Sequence, residues 1–236
     1  MSSTFRFKQF AIDQQGSALK INTDGVLLGA IAQHSMLADQ ILDIGTGTGV
    51  IALMLAQRYP KAHIDAVEID HDAAQCAMQN FCHSPFSHRL HVIEGSYETI
   101  EKPDFYDWIV SNPPFYTNSL HNPDIRKKNA KHTDITFFEK LLTFANNTLK
   151  SQGELHLILP TILASEIISL AREQGMTLLR TISIRSYAEN EIIRRIICLR
   201  KGTVENEEES NFVIYAGKGK YSDAYRKVLQ PYFLAF

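Results

Sequence analysis

Short apolar blocks alternate with amphipathic stretches along most of the chain. The blocks Gln40 to Ile44, His63 to Asp70, Leu90 to Ser96, Tyr106 to Val110 and Leu155 to Leu159 are bounded by turn residues, the pattern of buried strands. Between them, Val50 to Ala56, Ile135 to Leu149 and Ile162 to Glu173 carry apolar residues at helical spacing, the second stopping before Gly153. Two more strand-like segments, Leu178 to Ser186 and Ile192 to Arg200, follow. This order predicts an α/β fold: a mainly parallel seven-stranded sheet with helices on both faces and an antiparallel strand at one edge. Ligands of such sheets bind beyond the carboxyl ends of the strands, which places Asp43, Glu68, Ser96 and Asn112 on one rim.

The front of the chain reads differently. Phe5 to Ile12 alternates like a hairpin strand, and Thr23-Asp24 precedes an apolar run as a helix cap would. Residues 1–35 are therefore expected to form a hairpin-helix lid on a single domain spanning 1–236, since no composition break divides the chain. Whether Lys20, Asn22, Thr23 or Asp24 closes over a ligand or only packs stays open.

Composition narrows the chemistry. With 236 residues and 44% hydrophobic content the chain can bury a sizeable core. A net charge of -2 does not announce nucleic-acid binding, so any RNA contact must be local. Arg126, Lys127, Lys128, Lys131 and His132 cluster after the Asn112 to Phe115 segment, and Arg185, Arg194, Arg195, Arg200, Lys201, Lys218 and Lys220 could widen that patch. The acidic run Glu205 to Glu209 reads as a surface loop facing away from RNA. Three cysteines, Cys76, Cys82 and Cys198, lack paired metal spacing and an even disulfide set, which suits a reducing cytoplasm. His83, His88 and His91 straddle a Ser-Pro turn without a carboxylate pair, so no metal is expected, and no apolar run is long enough to span a bilayer.

Two motifs carry chemistry. In the first, Asp43-Ile44-Gly45-Thr46-Gly47-Thr48-Gly49 joins a strand to a helix, and Glu68 follows at roughly the 20-residue distance where an acid meets ribose hydroxyls. The pair suggests an adenosine ligand held by Asp43, Gly45, Thr46, Gly47, Gly49, Glu68 and Ile69, with Gly95 and Ser96 at the next strand end and Asn112 at the one after it. Two cofactors fit, a nicotinamide dinucleotide or S-adenosylmethionine. The G-x-G-x-G spacing and the Asp43 carboxylate, which would repel a pyrophosphate but suits a sulfonium, favour the second. In the second motif, Asn112-Pro113-Pro114-Phe115 ends an apolar strand. The Asn112 side-chain oxygen and the Pro113 carbonyl could accept the two hydrogens of a planar amine, Pro114 would help fix the backbone, and Phe115 would stack on its ring. A plain proline turn is the alternative.

Together these motifs resemble class I S-adenosylmethionine-dependent methyltransferases of the amino-group type, with a Rossmann-like fold. Phe5 to Phe10, Lys20 to Ala30 and Tyr221 to Tyr225 are similar to the corresponding segments of the bacterial tRNA1(Val) (adenine(37)-N6)-methyltransferase family. The resemblance covers nearly the whole length. It implies methyl transfer to N6 of adenine 37 in the anticodon stem-loop of tRNA1(Val), by a monomer that needs neither metal nor membrane. Catalysis would fall to Asn112, Pro113, Pro114 and Phe115. The tetrapeptide class also acts on ribosomal RNA, DNA and protein glutamine amides, and these substrates stay open. So do a non-catalytic RNA-binding module and a nicotinamide oxidoreductase.

Overall fold

The computed structural model describes residues 4–15, 20–113 and 125–236, with side chains omitted for 125–134. The front hairpin pairs β1 (Thr4–Arg6) with β2 (Ala11–Asp13), and α1 (Thr23–Ile31) follows it. Three βα units come next: β3 (Gln40–Ile44) with α2 (Val50–Arg58), β4 (His63–Glu68) with α3 (His71–Cys82), and β5 (Leu90–Glu94) leading to β6 (Tyr106–Ser111). The second half adds α4 (Ile125–Thr148), β7 (Leu149–Leu159), α5 (Thr161–Glu173), β8 (Met176–Arg185), β9 (Ile192–Lys201) and β10 (Glu208–Val213). A small hairpin, β11 (Tyr215–Gly217) and β12 (Lys220–Tyr221), precedes α6 (Asp223–Leu229).

The central sheet has the order β10-β8-β9-β7-β6-β3-β4-β5. It is parallel except for β9, which runs antiparallel to both neighbours, β7 and β8. Two expectations need correction here. The sheet has eight strands rather than seven, and its antiparallel strand lies inside the sheet rather than at an edge. The reason is burial. A short connection after Arg185 makes β9 return antiparallel beside β8, and Ile196, Ile197, Cys198 and Leu199 are buried on both faces, which only an interior position permits. The eighth strand, β10, begins with exposed Glu208, Glu209, Ser210 and Asn211, and its lack of apolar alternation hid it in the sequence. Charged residues suit an edge, because they discourage pairing with another chain. Glu208 also bonds Arg180 of β8 at 2.7 Å, so the acidic run is partly strand and not wholly loop.

Alternating side chains divide the core into two layers. Ile41, Trp108, Ile158, Ile196 and Cys198 pack on one face with α1, α2, α3 and the front hairpin. Leu42, Ile109, Leu155, Leu157, Ile197 and Leu199 pack on the other with α4 and α5. Two element boundaries differ from expectation. Helix α4 starts ten residues before Ile135, since Arg126, Lys127 and Lys128 favour helix intrinsically without contributing an apolar stripe. The cap of α1 is Asn22, not Thr23: its side-chain oxygen accepts the Gly25 N–H at 2.8 Å.

Candidate active site

The glycine loop leaves β3 through backbone that side chains rarely adopt, with φ of 70° at Gly45 and 56° at Gly47. A Cβ at either position would meet no atom within 4 Å, so space lies open beside the loop. Gly49 differs. Its Cβ would stand 2.5 Å from a Phe81 ring carbon, so this glycine serves the packing of α2 against α3. Thr46 donates its hydroxyl to Asp43 Oδ2 at 2.6 Å, while Gly45 and Thr46 N–H groups bond the Val67 carbonyl. The loop is thus fixed from β3 and β4 together.

Asp43 is fully buried, and among the described residues its Oδ1 has no donor at hydrogen-bond geometry, although the Ala52 backbone N–H is near enough to favour the carboxylate. Burial pushes its carboxyl up to about 7, against the opposing Thr46 bond, with the nearby Glu68 charge adding to the rise. A buried carboxylate with a vacant lone pair is a seat for a cation. Glu68 is also buried, and its two oxygens accept from Gly47 N at 2.9 Å and Asp70 N at 3.0 Å. Those bonds leave lone pairs for further donors, because a carboxylate accepts at about four positions. Beside it Ile69 is 75% exposed, a large apolar side chain available to a flat ring. Gly95 N bonds the Glu68 carbonyl at 2.8 Å, and Ser96 spends its side chain capping the turn at Tyr97–Thr99.

The β6 strand ends at the same rim. Ser111 donates to the Ile44 carbonyl at 2.8 Å, setting the end of β6 beside the start of the glycine loop. Asn112 then donates its Nδ2 to Asn22 Oδ1 at 3.3 Å, and Pro113 is buried. The bond engages the amide nitrogen of Asn112, so its side-chain oxygen is the opposite end of the same carboxamide. A cleft of about 320 Å³ lies between these parts, lined by Lys20, Asn22, Gly45, Thr46, Asn112 and Pro113 among others. Asn22 is the residue sequence reasoning left without a role; its contact with Asn112 spans 90 positions and leaves no local signal. Asp24, also at the cleft, is tied to Arg194 at 2.7 Å, which anchors α1 to β9.

Other expected residues fall elsewhere. Pro114 and Phe115 lie outside the described residues. Arg126, Lys127, Lys128, Lys131 and His132 sit on the first turns of α4, with their side chains outside the description. Arg200 and Lys201 do not widen a rim patch. Because β9 is antiparallel it starts at the rim and ends at the opposite edge, where Arg200 bonds Glu154 and Lys201 bonds Asp104. Arg194 and Arg195, at its start, do lie at the rim. Among the described residues no group of three His, Cys, Asp or Glu could hold a metal ion, and no helix is long and apolar enough to cross a membrane.

Comparison with known proteins agrees with this geometry. The family model described as methyltransferase small domain matches residues 20–175. A Pedobacter heparinus protein named tRNA1(Val) (adenine(37)-N6)-methyltransferase is 49% identical over 100% of both chains. An Aeromonas hydrophila protein of the same name is 38% identical, covering 99% of this chain and 98% of its own. Among solved structures, one described as a predicted O-methyltransferase from Agrobacterium tumefaciens superposes with a TM-score of 0.69 at 18% identity, over 89% of this chain and 96% of that one. A Pyrococcus furiosus methyltransferase gives a TM-score of 0.57 at 19% identity, over 80% and 91%. By the family match and these relatives, the chain belongs to the methyltransferase small domain family, on the branch whose curated members are named tRNA1(Val) (adenine(37)-N6)-methyltransferase.

Proposed function

We propose that this chain transfers a methyl group from S-adenosylmethionine to N6 of adenine 37 in the anticodon loop of tRNA1(Val). The observation that carries the reading is the meeting of Asn112 and Pro113 with the glycine loop Gly45 to Thr48 around one cleft, with Asp43 buried behind that loop and bonded to Thr46. The bound cofactor supplies an electrophilic methyl group on a positive sulfur. Asp43 balances its positive charge, directly or through water, and the open backbone at Gly45 and Gly47 gives the cofactor room. Glu68 takes the ribose hydroxyls on its remaining lone pairs, and Ile69, Gly95 and Ser96 border the adenine.

The amine is handled by Asn112 and the Pro113 carbonyl. Asn22 occupies the Asn112 Nδ2, so the Asn112 oxygen is the end that faces an incoming amine. The two acceptors align the N6 lone pair and stabilise the positive charge that grows on nitrogen as the bond forms. No strong base is needed, since the proton becomes acidic only then. Pro114 would help fix the backbone and Phe115 would stack on the extruded base, and a loop adenine costs less to extrude than a paired one. The first turns of α4 offer Arg126, Lys127, Lys128, Lys131 and His132 to RNA phosphates.

The front segment 1–35 belongs to one working unit with the rest of 1–236, because Phe7, Phe10, Ile12, Leu27 and Leu28 share a core cluster with α2. The proposed working form is a monomer, and the free Cys76, Cys82 and Cys198 suit the cytoplasm. The reading is tested by incubating the protein with labelled methyl donor and tRNA from a strain lacking the gene, then mapping the nucleoside by mass spectrometry. N6-methyladenosine at position 37 of tRNA1(Val) is expected. Label confined to ribosomal RNA, DNA or protein glutamine would overturn it.

A further inference from the structure

A row of tyrosines stands at the same rim, away from the cleft. Tyr225 of α6 stacks on Tyr221 with ring centroids 4.5 Å apart and planes 8° apart, Tyr221 stacks on Tyr215 at 5.3 Å, and Tyr187 follows at 5.4 Å from Tyr215. The inner end is rooted in the core, since Tyr225 is buried and meets Phe236 edge-on. Toward the outside, Tyr221 is 38% exposed and Tyr187 is half-buried. Topology fixes where the row lies: β10 is parallel to β8 with Val213 opposite Arg185, so both strands end at the rim that carries Asn112, and the β11–β12 hairpin follows there. From β6 to β8, whose end leads into Tyr187, is three strand spacings in the sheet order, about 14 Å at the usual separation, and β10 lies one spacing further. That is too far for the nucleotide in the cleft and suits its neighbours along the same RNA.

The charges around the row match such a partner. Lys218 and Lys220, on the hairpin, are exposed and make no ion pair or hydrogen bond among the described residues. Arg185 adds a further cation and touches only the neutral Asn211 side chain, at 3.5 Å. The acids nearby are Glu189 and Glu191 in the turn after Tyr187, and Asp223 in the first turn of α6. They assign the phosphate contact to the hairpin and not to the turn. Flat rings beside unpaired lysines are the chemistry that holds unpaired RNA, through base stacking and backbone charge.

We propose that Tyr187, at the end of this row, is a stacking platform for an unpaired RNA base other than the methylated adenine, with Lys218 and Lys220 on the adjoining phosphates. The inference rests on the RNA-modifying reading above. Binding of two probes to the full-length protein tests it: the tRNA1(Val) anticodon stem-loop and a plain single-stranded RNA of mixed sequence. Tyr187→Ala should weaken both roughly tenfold and Tyr187→Trp should restore them. The melting temperature and the S-adenosylmethionine dissociation constant should stay unchanged. The double variant Lys218→Ala, Lys220→Ala should flatten the dependence of log affinity on log salt by about 1.4. Native affinity for both RNAs in Tyr187→Ala, or weak binding by Tyr187→Trp alongside a lowered melting temperature, overturns the inference. If the stem-loop is not methylated while Tyr187→Ala still weakens the plain RNA, the substrate reading fails and the platform stands.

Discussion

Two buried carboxylates, on strands separated by β6, are treated in opposite ways. Glu154, midway along β7 and level with Ile41 near the start of β3, bonds Arg200 at 2.8 Å, His156 at 2.8 Å and the Ser35 hydroxyl. Burial alone would raise its carboxyl, but the hydrogen bonds from His156 and Arg200 outweigh it, and Glu154 is held well below the usual carboxylate range. His156 is itself pushed down by burial, so it serves as a neutral donor. Asp43, at the end of β3, has one donor on one oxygen and none on the other. The Glu154 carboxylate is finished within the protein, with donors on both oxygens. Asp43 keeps one oxygen short of a donor at the rim, where a cofactor would repay the cost.

Cutting the finished network should have the largest effect. Arg200→Met leaves Glu154 buried beside a neutral histidine, and should cost on the order of 3–5 kcal/mol of stability in urea unfolding. In buffer, where the variant stays folded, its affinity for S-adenosylmethionine should match the native value. A matching loss of affinity would merge the two regions into one.

Asp43→Asn sharpens the contrast from the other side. A carboxyl whose folded value lies above its unfolded one stabilises the fold below about pH 3.8, and that contribution is lost as pH rises to about 7. At pH 8 the ionised native group therefore costs on the order of 4 kcal/mol, and Asp43→Asn should raise the melting temperature there while weakening the cofactor. The native protein should also lose affinity for S-adenosylmethionine as pH falls below about 7, an extra dependence absent from Asp43→Asn. Calorimetric titration across pH 5.5–8.5 measures both. An unchanged dissociation constant in the variant removes Asp43 from the site.

Asn112→Ala should lower turnover on the order of a hundredfold, the cost of one polar partner of a developing charge, with cofactor affinity intact. A near-native rate in single-turnover methylation would refute its role. Asn22→Ala should have the smallest effect on the fold, about 1 kcal/mol for a lost helix cap. Its signature is a lower kcat at unchanged stability of the sheet, because Asn112 loses its fixed orientation. Asn22→Asp, which can still cap α1 and accept from Asn112, should recover most of the rate.

Much of the sheet was legible because its strands are apolar on both faces and its helices are not. Ile41, Leu42 and Ile44 announce a buried strand without help from anything distant, and the glycines that follow announce a turn. The position of β9 was not legible. Its apolar run states that it is buried but not between which neighbours, and that depends on how the β8–β9 hairpin docks against β7. Polar β10 had no periodic signal, and Arg200 looked like a free surface cation until the antiparallel direction of β9 took it to Glu154. At the site, Asp43 and Asn112 were found by motif, whereas Asn22 needed three-dimensional proximity.

A single carboxamide oxygen, that of Asn22, both starts α1 and restrains Asn112. On the proposed role of Asn112, fraying of that first helical turn would disarm methyl transfer before the sheet loosens at all. Catalytic competence becomes a readout of order at the front of the chain, so damage there would silence the enzyme while leaving a protein that still looks folded by its strands.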